Sequence, residues 1–378
     1  MENNSSSSYV KCLSLILVYT LIQKVLIPNP QLASIFLAIF FLYATNRIIW
    51  NPEKIIKSTF ILFSMLFIII VNNFPTKNNF ERDILPSKLV VNKEKFNIFL
   101  LETDKSRKFL DYKQMCSIES AAFNNPKADV HTVSLGAKLD SNLLKKYPNI
   151  KFTVADESEV FNNTPLMAWW LSHEKELLKS HYWIHDLSDA MRVALLYKYG
   201  GYYSDLDTIT IRELTSLVQR NGLGYITEFS KPSLGNGVLV FGKNHSFLQH
   251  VIADFSQNYK ANEWGHNGPK LFMRSLKAYC KTENIYEELT SSTRKCDVEL
   301  FPESFFYPIN WENVKKLFLK NGLIDIYSFK DTYSVHFYGK FSQQFAVKYN
   351  DFSLYEFFAN KNCPFVYSIL EQNLVSKI

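Results

Sequence analysis

The residues of this 378-residue chain that could do chemistry are concentrated between Asp186 and Thr208, DLSDAMRVALLYKYGGYYSDLDT. Asp205 and Asp207 stand two apart, and a turn in the backbone there lets both carboxylates face one hard cation. Oxygen ligands suit manganese or magnesium, and two carboxylates leave the shell unfilled, with room for a diphosphate. Solvated loops hold many Asp-x-Asp pairs, so the pair gains meaning only from its setting. Upstream, Leu187, Ala190, Met191, Ala194 and Leu195 recur at helical spacing, with Asp186 near the dipole-favoured start. Gly200-Gly201 stops that helix, and Tyr202 and Tyr203 are strand formers that deliver the carboxylates to a loop. The order helix, Gly-Gly, strand, acidic loop points to a metal and nucleotide-sugar site.

The flanking elements must hold that loop in place. Residues 97–101 read as a buried strand that runs into polar Glu102-Thr103, residues 116–123 as a short helix, and 130–135 and 150–154 as further strands. This alternation argues for an α/β fold with a mostly parallel sheet between helices, in which ligands sit beyond the carboxyl ends of strands. Glu102-Thr103 and Asp205-Leu206-Asp207 both fall at such ends. Thr164 is expected to cap a helix with Pro165 at its first position. Residues 224–227 and 237–241 read as two strands separated by Gly235-Asn236-Gly237. Ser246 and Gly268-Pro269 each open a helix, and His336 lies in the strand-like SVHFY.

At 47% hydrophobic and 15% aromatic residues the chain can build a large core. The formal charge of +6 is scattered, with no basic stripe, so nucleic acid is not expected as a partner. Three apolar runs open the chain, at residues 9–27, 32–49 and 58–74, and the last is the best membrane span. Arg47, Lys54 and Lys57 put the preceding loop in the cytosol, so whatever follows residue 74 is expected in the lumen. The expected organisation is therefore a tail and anchor of one to three spans at 1–74, a stem at 75–94 and a folded lumenal domain at 95–378. No cysteine falls in a C-x-x-C pair, which argues against zinc and redox sites. Cys116, Cys280, Cys296 and Cys363 fit two lumenal disulfides. Of the three pairings, Cys280 with Cys296, closing a short loop, and Cys116 with Cys363 are favoured.

The chain resembles the alpha-1,4-galactosyltransferases of glycosphingolipid synthesis and their alpha-1,4-N-acetylglucosaminyltransferase relatives. The stretches that carry the resemblance include MCSIESAA at 115–122, TPL at 164–166, LSDAMR at 187–192 and YGGYYSDLD at 199–207. NGVLVF at 236–241, GHNGP at 265–269, FYPI at 306–309 and VHFY at 335–338 continue it in order. The resemblance implies a GT-A type fold, a Rossmann-like mixed sheet flanked by helices. It also implies a UDP-sugar donor, Mn2+ and transfer with retention onto a glycolipid acceptor at the Golgi membrane. Carried over by position, Asp205, Asp207 and His336 are expected to bind the metal. Glu102, Thr103, Asp205, Lys340 and Ser342 are expected at the nucleotide, and Asp189 and Arg192 at the donor sugar, with Asn236 and His266 lining the catalytic pocket. Asp189 and Arg192, three apart, share one helix face. The family has a single anchor as a rule, so the first roughly 55 residues lie outside the resemblance.

No residue declares itself as a nucleophile, so the favoured chemistry is same-face attack, in which the departing phosphate takes the acceptor's proton. A membrane-anchored lectin that kept the fold but lost catalysis would show a damaged Asp-x-Asp or Ser-Asp-x-x-Arg. Both motifs are whole. Sequons at Asn162 and Asn244 fall in the expected lumenal part.

Overall fold

The computed structural model describes residues 88–375, apart from 230, 292–295 and 323–325. The three N-terminal apolar runs and most of the expected stem lie outside the described residues, and among those described no helix is long and apolar enough to cross a membrane.

Seven strands form one sheet in the order β3-β2-β1-β4-β7-β6-β8. They are β1 Asn97–Glu102, β2 Asp129–Ser134, β3 Ile150–Val154, β4 Gly201–Ser204, β6 Gly222–Glu228, β7 Lys231–Phe241 and β8 Glu299–Phe301. β5 Thr208–Thr210 pairs antiparallel with β9 Ser334–His336 in a separate ribbon. β3, β2, β1 and β4 run parallel, as the alternation of strand and helix predicts. β7 then runs antiparallel to β4 and to β6, which makes the sheet mixed.

β1 and β2 are buried along their whole length, because helices cover both sheet faces. Alternation divides the core in two: Phe99, Leu101, Tyr203, Leu239 and Phe241 join one cluster, and Ile98, Leu100, Tyr202, Val238 and Val240 the other. Helix α1, Tyr112–Asn124, covers the second face and begins in a capping box between Asp111 and Gln114. Leu187, Met191, Ala194 and Leu195 of helix α2, Trp183–Tyr199, pack into the first cluster. Gly201, at φ 121°, follows that helix, and the Asn97 carbonyl occupies the place of its Cβ, so the turn that sends the chain into β4 requires glycine.

Two readings differ from the sequence. Gly235-Asn236-Gly237 does not separate two strands but lies inside β7, and β6 and β7 are paired from Glu228 and Lys231 onward. The glycines serve close approach: a Cβ at Gly235 would stand 2.6 Å from the Tyr307 ring, and one at Gly237 would stand 2.8 Å from Asp205 Oδ2. Thr164 does not cap the helix Leu166–Leu177; its hydroxyl donates to the Phe161 carbonyl. The side chains of both sequon asparagines, Asn162 and Asn244, are exposed.

Cys116 pairs with Cys363 and Cys280 with Cys296, across Cα separations of 5.2 and 5.4 Å. The first bridge ties α1 to the C-terminal helices over 247 residues of sequence. Cys116→Ser is expected to cost about 5 kcal/mol by chain-entropy reasoning for so long a loop, measured by denaturant unfolding. Alkylation of the unreduced, denatured chain should leave these four thiols unlabelled. A second expectation concerns His131, which is fully buried, stacked on Phe99 and held by Asn97 Oδ1 at 3.0 Å. Burial holds its pKa down at about 4, from an ordinary 6.5. An unfolded chain takes up that proton at a higher pH than the fold does, so stability should fall as pH drops from 6.5 towards 4, by at most roughly 3 kcal/mol. His131→Gln should flatten that part of a stability-versus-pH curve.

Candidate active site

Helix α2 and strand β4 meet at a buried guanidinium. Arg192 reaches Asp189 Oδ1 one turn back at 3.2 Å and Asp205 Oδ1 across the Gly-Gly turn at 3.2 Å. It also donates to the Asn236 carbonyl at 2.6 Å and the Ser188 hydroxyl at 3.0 Å, and lies over the Tyr203 ring. The Asn236 amide donates to Asp189 Oδ1 at 2.8 Å, so α2, β7 and the acidic loop share one network. Burial works against the Arg192 charge, but Asp205, Tyr203 and Asp189 outweigh it and its pKa is raised. Burial pushes the Asp189 carboxyl up to about 6 against the pull of Arg192 and Asn236. For Asp205 burial is again the largest effect, but Arg192 and then His336 overcome it and hold the carboxyl below its usual range.

Asp205, Asp207 and His336 bring one ligand atom each within 4.8 Å of the others. Backbone pairing sets this distance: the Asp205 amide donates to the Gly237 carbonyl, the Phe337 amide to the Asp207 carbonyl and the Gly339 amide to Asp207 Oδ2. His336 Nε2 stands 3.1 Å from Asp207 Oδ1 and 3.8 Å from Asp205 Oδ2. Burial opposes the imidazolium, yet the two carboxylates win and raise its pKa to about 9. Asp207 Oδ1 is enclosed with no aligned hydrogen-bond donor. Two carboxylates and an imidazole, with one carboxylate oxygen unsatisfied, fit a manganese-type cation.

Both groups line a single cavity of about 540 Å³, together with His185, Trp264, Tyr307 and Tyr338. Lys340 lines it too, with Nζ 3.2 Å above the Trp264 ring. Asn267 anchors the loop beyond Trp264 by donating to Asp186 Oδ1 at 3.1 Å. That anchor sets Gly268 against Asp189 and Asn236, where no Cβ fits: it would meet Asp189 Oδ2 and stand 2.9 Å from Asn236 Nδ2.

Sequence comparison places the chain among known enzymes. Residues 240–370 match the alpha 1,4-glycosyltransferase conserved region, and residues 111–223 the glycosyltransferase sugar-binding region containing the DXD motif. Lactosylceramide 4-alpha-galactosyltransferase of Rattus norvegicus is 36% identical over 65% of this chain and 68% of its own length. The chain belongs to the alpha-1,4-glycosyltransferase family. Alpha-1,4-N-acetylglucosaminyltransferase of Homo sapiens is 29% identical over 67% of this chain and 74% of its own. Among solved structures, the WbbM bifunctional glycosyltransferase aligns over 76% of this chain and 53% of that one, at 10% identity and a TM-score of 0.45. So distant a likeness carries no weight.

In this member of the family, seven of the residues singled out from the sequence, Asp189, Arg192, Asp205, Asp207, Asn236, His336 and Lys340, line one cavity. Four other predicted residues fall elsewhere. His266 does not line the cavity, because its ring is turned to the Asn258 carbonyl at 2.8 Å and to Glu263; neighbouring Gly265 lines it instead. Glu102 is held by Gln114, Arg107 and the Asp104 amide, and the Thr103 hydroxyl donates to the Ile184 carbonyl, so both brace the β1 terminus outside the cavity. Ser342 is fully buried and does not line the cavity, with its carbonyl taken by Lys113. The sequence reading missed Tyr203, whose hydroxyl donates to Asp205 Oδ1 at 2.6 Å, and His185, Trp264 and Tyr338. Tyr203 was legible as a strand residue two before the first aspartate, pointing to the same side. The others carried no signal in a chain so rich in aromatics.

Gly268→Ala should lower catalytic turnover by about 100-fold, through displacement of Asp189 and Asn236, while thermal unfolding stays within a few degrees of the unsubstituted chain. Steady-state kinetics beside a melting curve checks both.

Proposed function

We propose that this enzyme is a retaining, metal-dependent hexosyltransferase of GT-A type. It moves galactose or N-acetylgalactosamine from a UDP-sugar in alpha-1,4 linkage onto a glycosphingolipid resembling lactosylceramide. The observation that carries this reading is the shared cavity wall, in which Arg192 couples Asp189 on the helix to Asp205 beside the Asp207 and His336 cluster. Names of relatives supply the linkage and the acceptor class: the rat relative is a lactosylceramide 4-alpha-galactosyltransferase. Residues 1–74 would anchor the enzyme, residues 75–94 would act as a stem and residues 95–378 would face the Golgi lumen.

In this reading Asp205, Asp207 and His336 hold Mn2+, which when bound supplies positive charge for the departing diphosphate. Lys340, whose ammonium lies over the Trp264 ring at the cavity wall, would add positive charge for the same phosphates. Asp189 accepts from donor-sugar hydroxyls while Arg192, rigid among three elements, fixes its carboxylate. Asn236 presents its side chain at the junction of sugar and metal halves. Asp189 and Asp205 are paired with Arg192, Asn236 or Tyr203, and Asp207 with His336, which favours same-face attack over a covalent sugar adduct on any of these three carboxylates.

The two halves should separate on substitution. Asp207→Ala is expected to lower manganese-dependent transfer by more than about 100-fold and to weaken UDP binding as well. Arg192→Lys retains the charge but loses the fork, and should lower transfer by a similar factor while changing UDP affinity by less than about threefold. Transfer kinetics and calorimetric titration of UDP with Mn2+ measure the pair. Activity in Asp207→Ala equal to that of the unsubstituted chain would refute the metal assignment.

A further inference from the structure

One part of the cavity wall is used by neither the donor-sugar network nor the metal cluster. Phe229, Trp311 and Phe341 line it as a continuous aromatic surface. Phe229 meets Trp311 edge-on at 5.5 Å, and Trp311 stacks with Phe341 at 5.0 Å. Phe229 is 73% exposed and Phe341 39%, an unusual outlay of apolar area unless something covers it.

The wall is also built, not incidental. Phe229 sits at φ 48°, a left-handed conformation that costs energy for a bulky residue, and its amide donates to Glu312 Oε1, next to Trp311. Glu303 ties down the preceding residue of β6 but one, through the Thr227 amide and hydroxyl. Asn310 caps the turn of helix that carries Trp311. Beside the rings lie two polar groups without partners. Among the described residues the half-buried Glu228 carboxylate has no hydrogen-bond or ion-pair partner, although it lines the cavity. The Tyr338 hydroxyl is enclosed and likewise unpartnered, and its ring packs edge-on against His336 at 4.3 Å.

We propose that Phe229, Trp311, Phe341, Glu228 and Tyr338 form the acceptor subsite, and that it takes a galacto-configured terminal pyranose. This rests on the glycosyltransferase reading above. A carboxylate repels the donor's phosphates but accepts from neutral sugar hydroxyls, so the wall suits the acceptor better than the nucleotide. A buried hydroxyl without a partner is costly until a ligand pairs with it. The apolar rings select the stereochemistry. A galactopyranose has an apolar face made by the hydrogens at carbons 3, 4 and 5, while its axial 4-hydroxyl points from the opposite face. Stacking that apolar face on the aromatic wall turns the 4-hydroxyl away from the rings and into the cavity. A glucopyranose, with an equatorial 4-hydroxyl, gains no such orientation.

The test uses the full chain with Mn2+, UDP-galactose or UDP-N-acetylgalactosamine, and methyl β-lactoside or methyl β-cellobioside as acceptor. Transfer and donor hydrolysis are read separately. Trp311→Ala should raise the lactoside KM about tenfold and lower the ratio of transfer to hydrolysis by a similar factor. UDP affinity should change by less than about twofold, and Trp311→Phe should recover most of the loss. Glu228→Gln should raise the same KM several-fold, and the unsubstituted enzyme should prefer lactoside to cellobioside. An unmoved acceptor KM in Trp311→Ala overturns the proposal. So does a UDP affinity weakened about tenfold, which would put the nucleobase on these rings. Saturation-transfer NMR of methyl β-lactoside, with and without UDP and Mn2+, needs no turnover. Enhancement at the terminal H3, H4 and H5 that disappears in Trp311→Ala supports the subsite even if no UDP-sugar is turned over, a result that would defeat only the donor reading. Absence of that enhancement from the unsubstituted chain in both conditions defeats the subsite itself.

Discussion

The buried guanidinium of Arg192 is the interaction on which the site depends. It is 5% exposed, and it stands between two carboxylates from different elements. A charge in such a place is tolerated only when its fork is filled, and Asp189, Asp205, Ser188 and the Asn236 carbonyl fill it. Removing Arg192 would leave two carboxylates without their shared cation in a low-dielectric wall, a penalty of several kcal/mol. The same contacts that neutralise Arg192 also set the distance between the sugar-facing helix and the metal-facing loop. Electrostatic satisfaction and geometric alignment are therefore one constraint.

Glycine makes that constraint possible. The chain passes from α2 into β4 through Gly200 and Gly201, both at positive φ, and so places Asp205 one short strand beyond Arg192. Gly237 and Gly268 leave the room that Asp205, His336 and Asp189 occupy. At each point the backbone comes closer to a charged side chain than any Cβ would allow. Packing on both sheet faces then holds the strands still: Tyr202 and Tyr203 point to opposite clusters and are fully buried in each.

The metal-side cluster has its own electrostatic logic. Asp205 and Asp207 are brought together beside His336, and the two carboxylates raise the pKa of its imidazole to about 9. Asp207 Oδ1 keeps an unused lone pair in an enclosed position. Where the network around Arg192 is saturated by hydrogen bonds, Asp207 Oδ1 is met only by the ion pair with His336. That contrast separates the half that positions from the half that binds.

By itself the sequence determined the parallel half of the sheet, the helix before the acidic loop and the family, and it favoured one of three disulfide pairings. These follow from local periodicity, from Gly-Gly punctuation and from motifs whose spacing is written along the chain. Asp189 and Arg192 were legible together because three residues on a helix make a contact. Tertiary structure alone decided that Gly235-Asn236-Gly237 lies within a strand, since the glycines answer to Tyr307 and Asp205, which are distant in sequence. It also decided that His266 turns to the Asn258 carbonyl, that Ser342 is buried, and that Glu102 and Thr103 brace a strand end. The aromatic wall was invisible for the same reason: Phe229, Trp311 and Phe341 come from separate segments, and nothing local distinguishes them from core residues. A side chain's type is a property of the chain, but the direction in which it points, and what it meets there, depends on long-range packing.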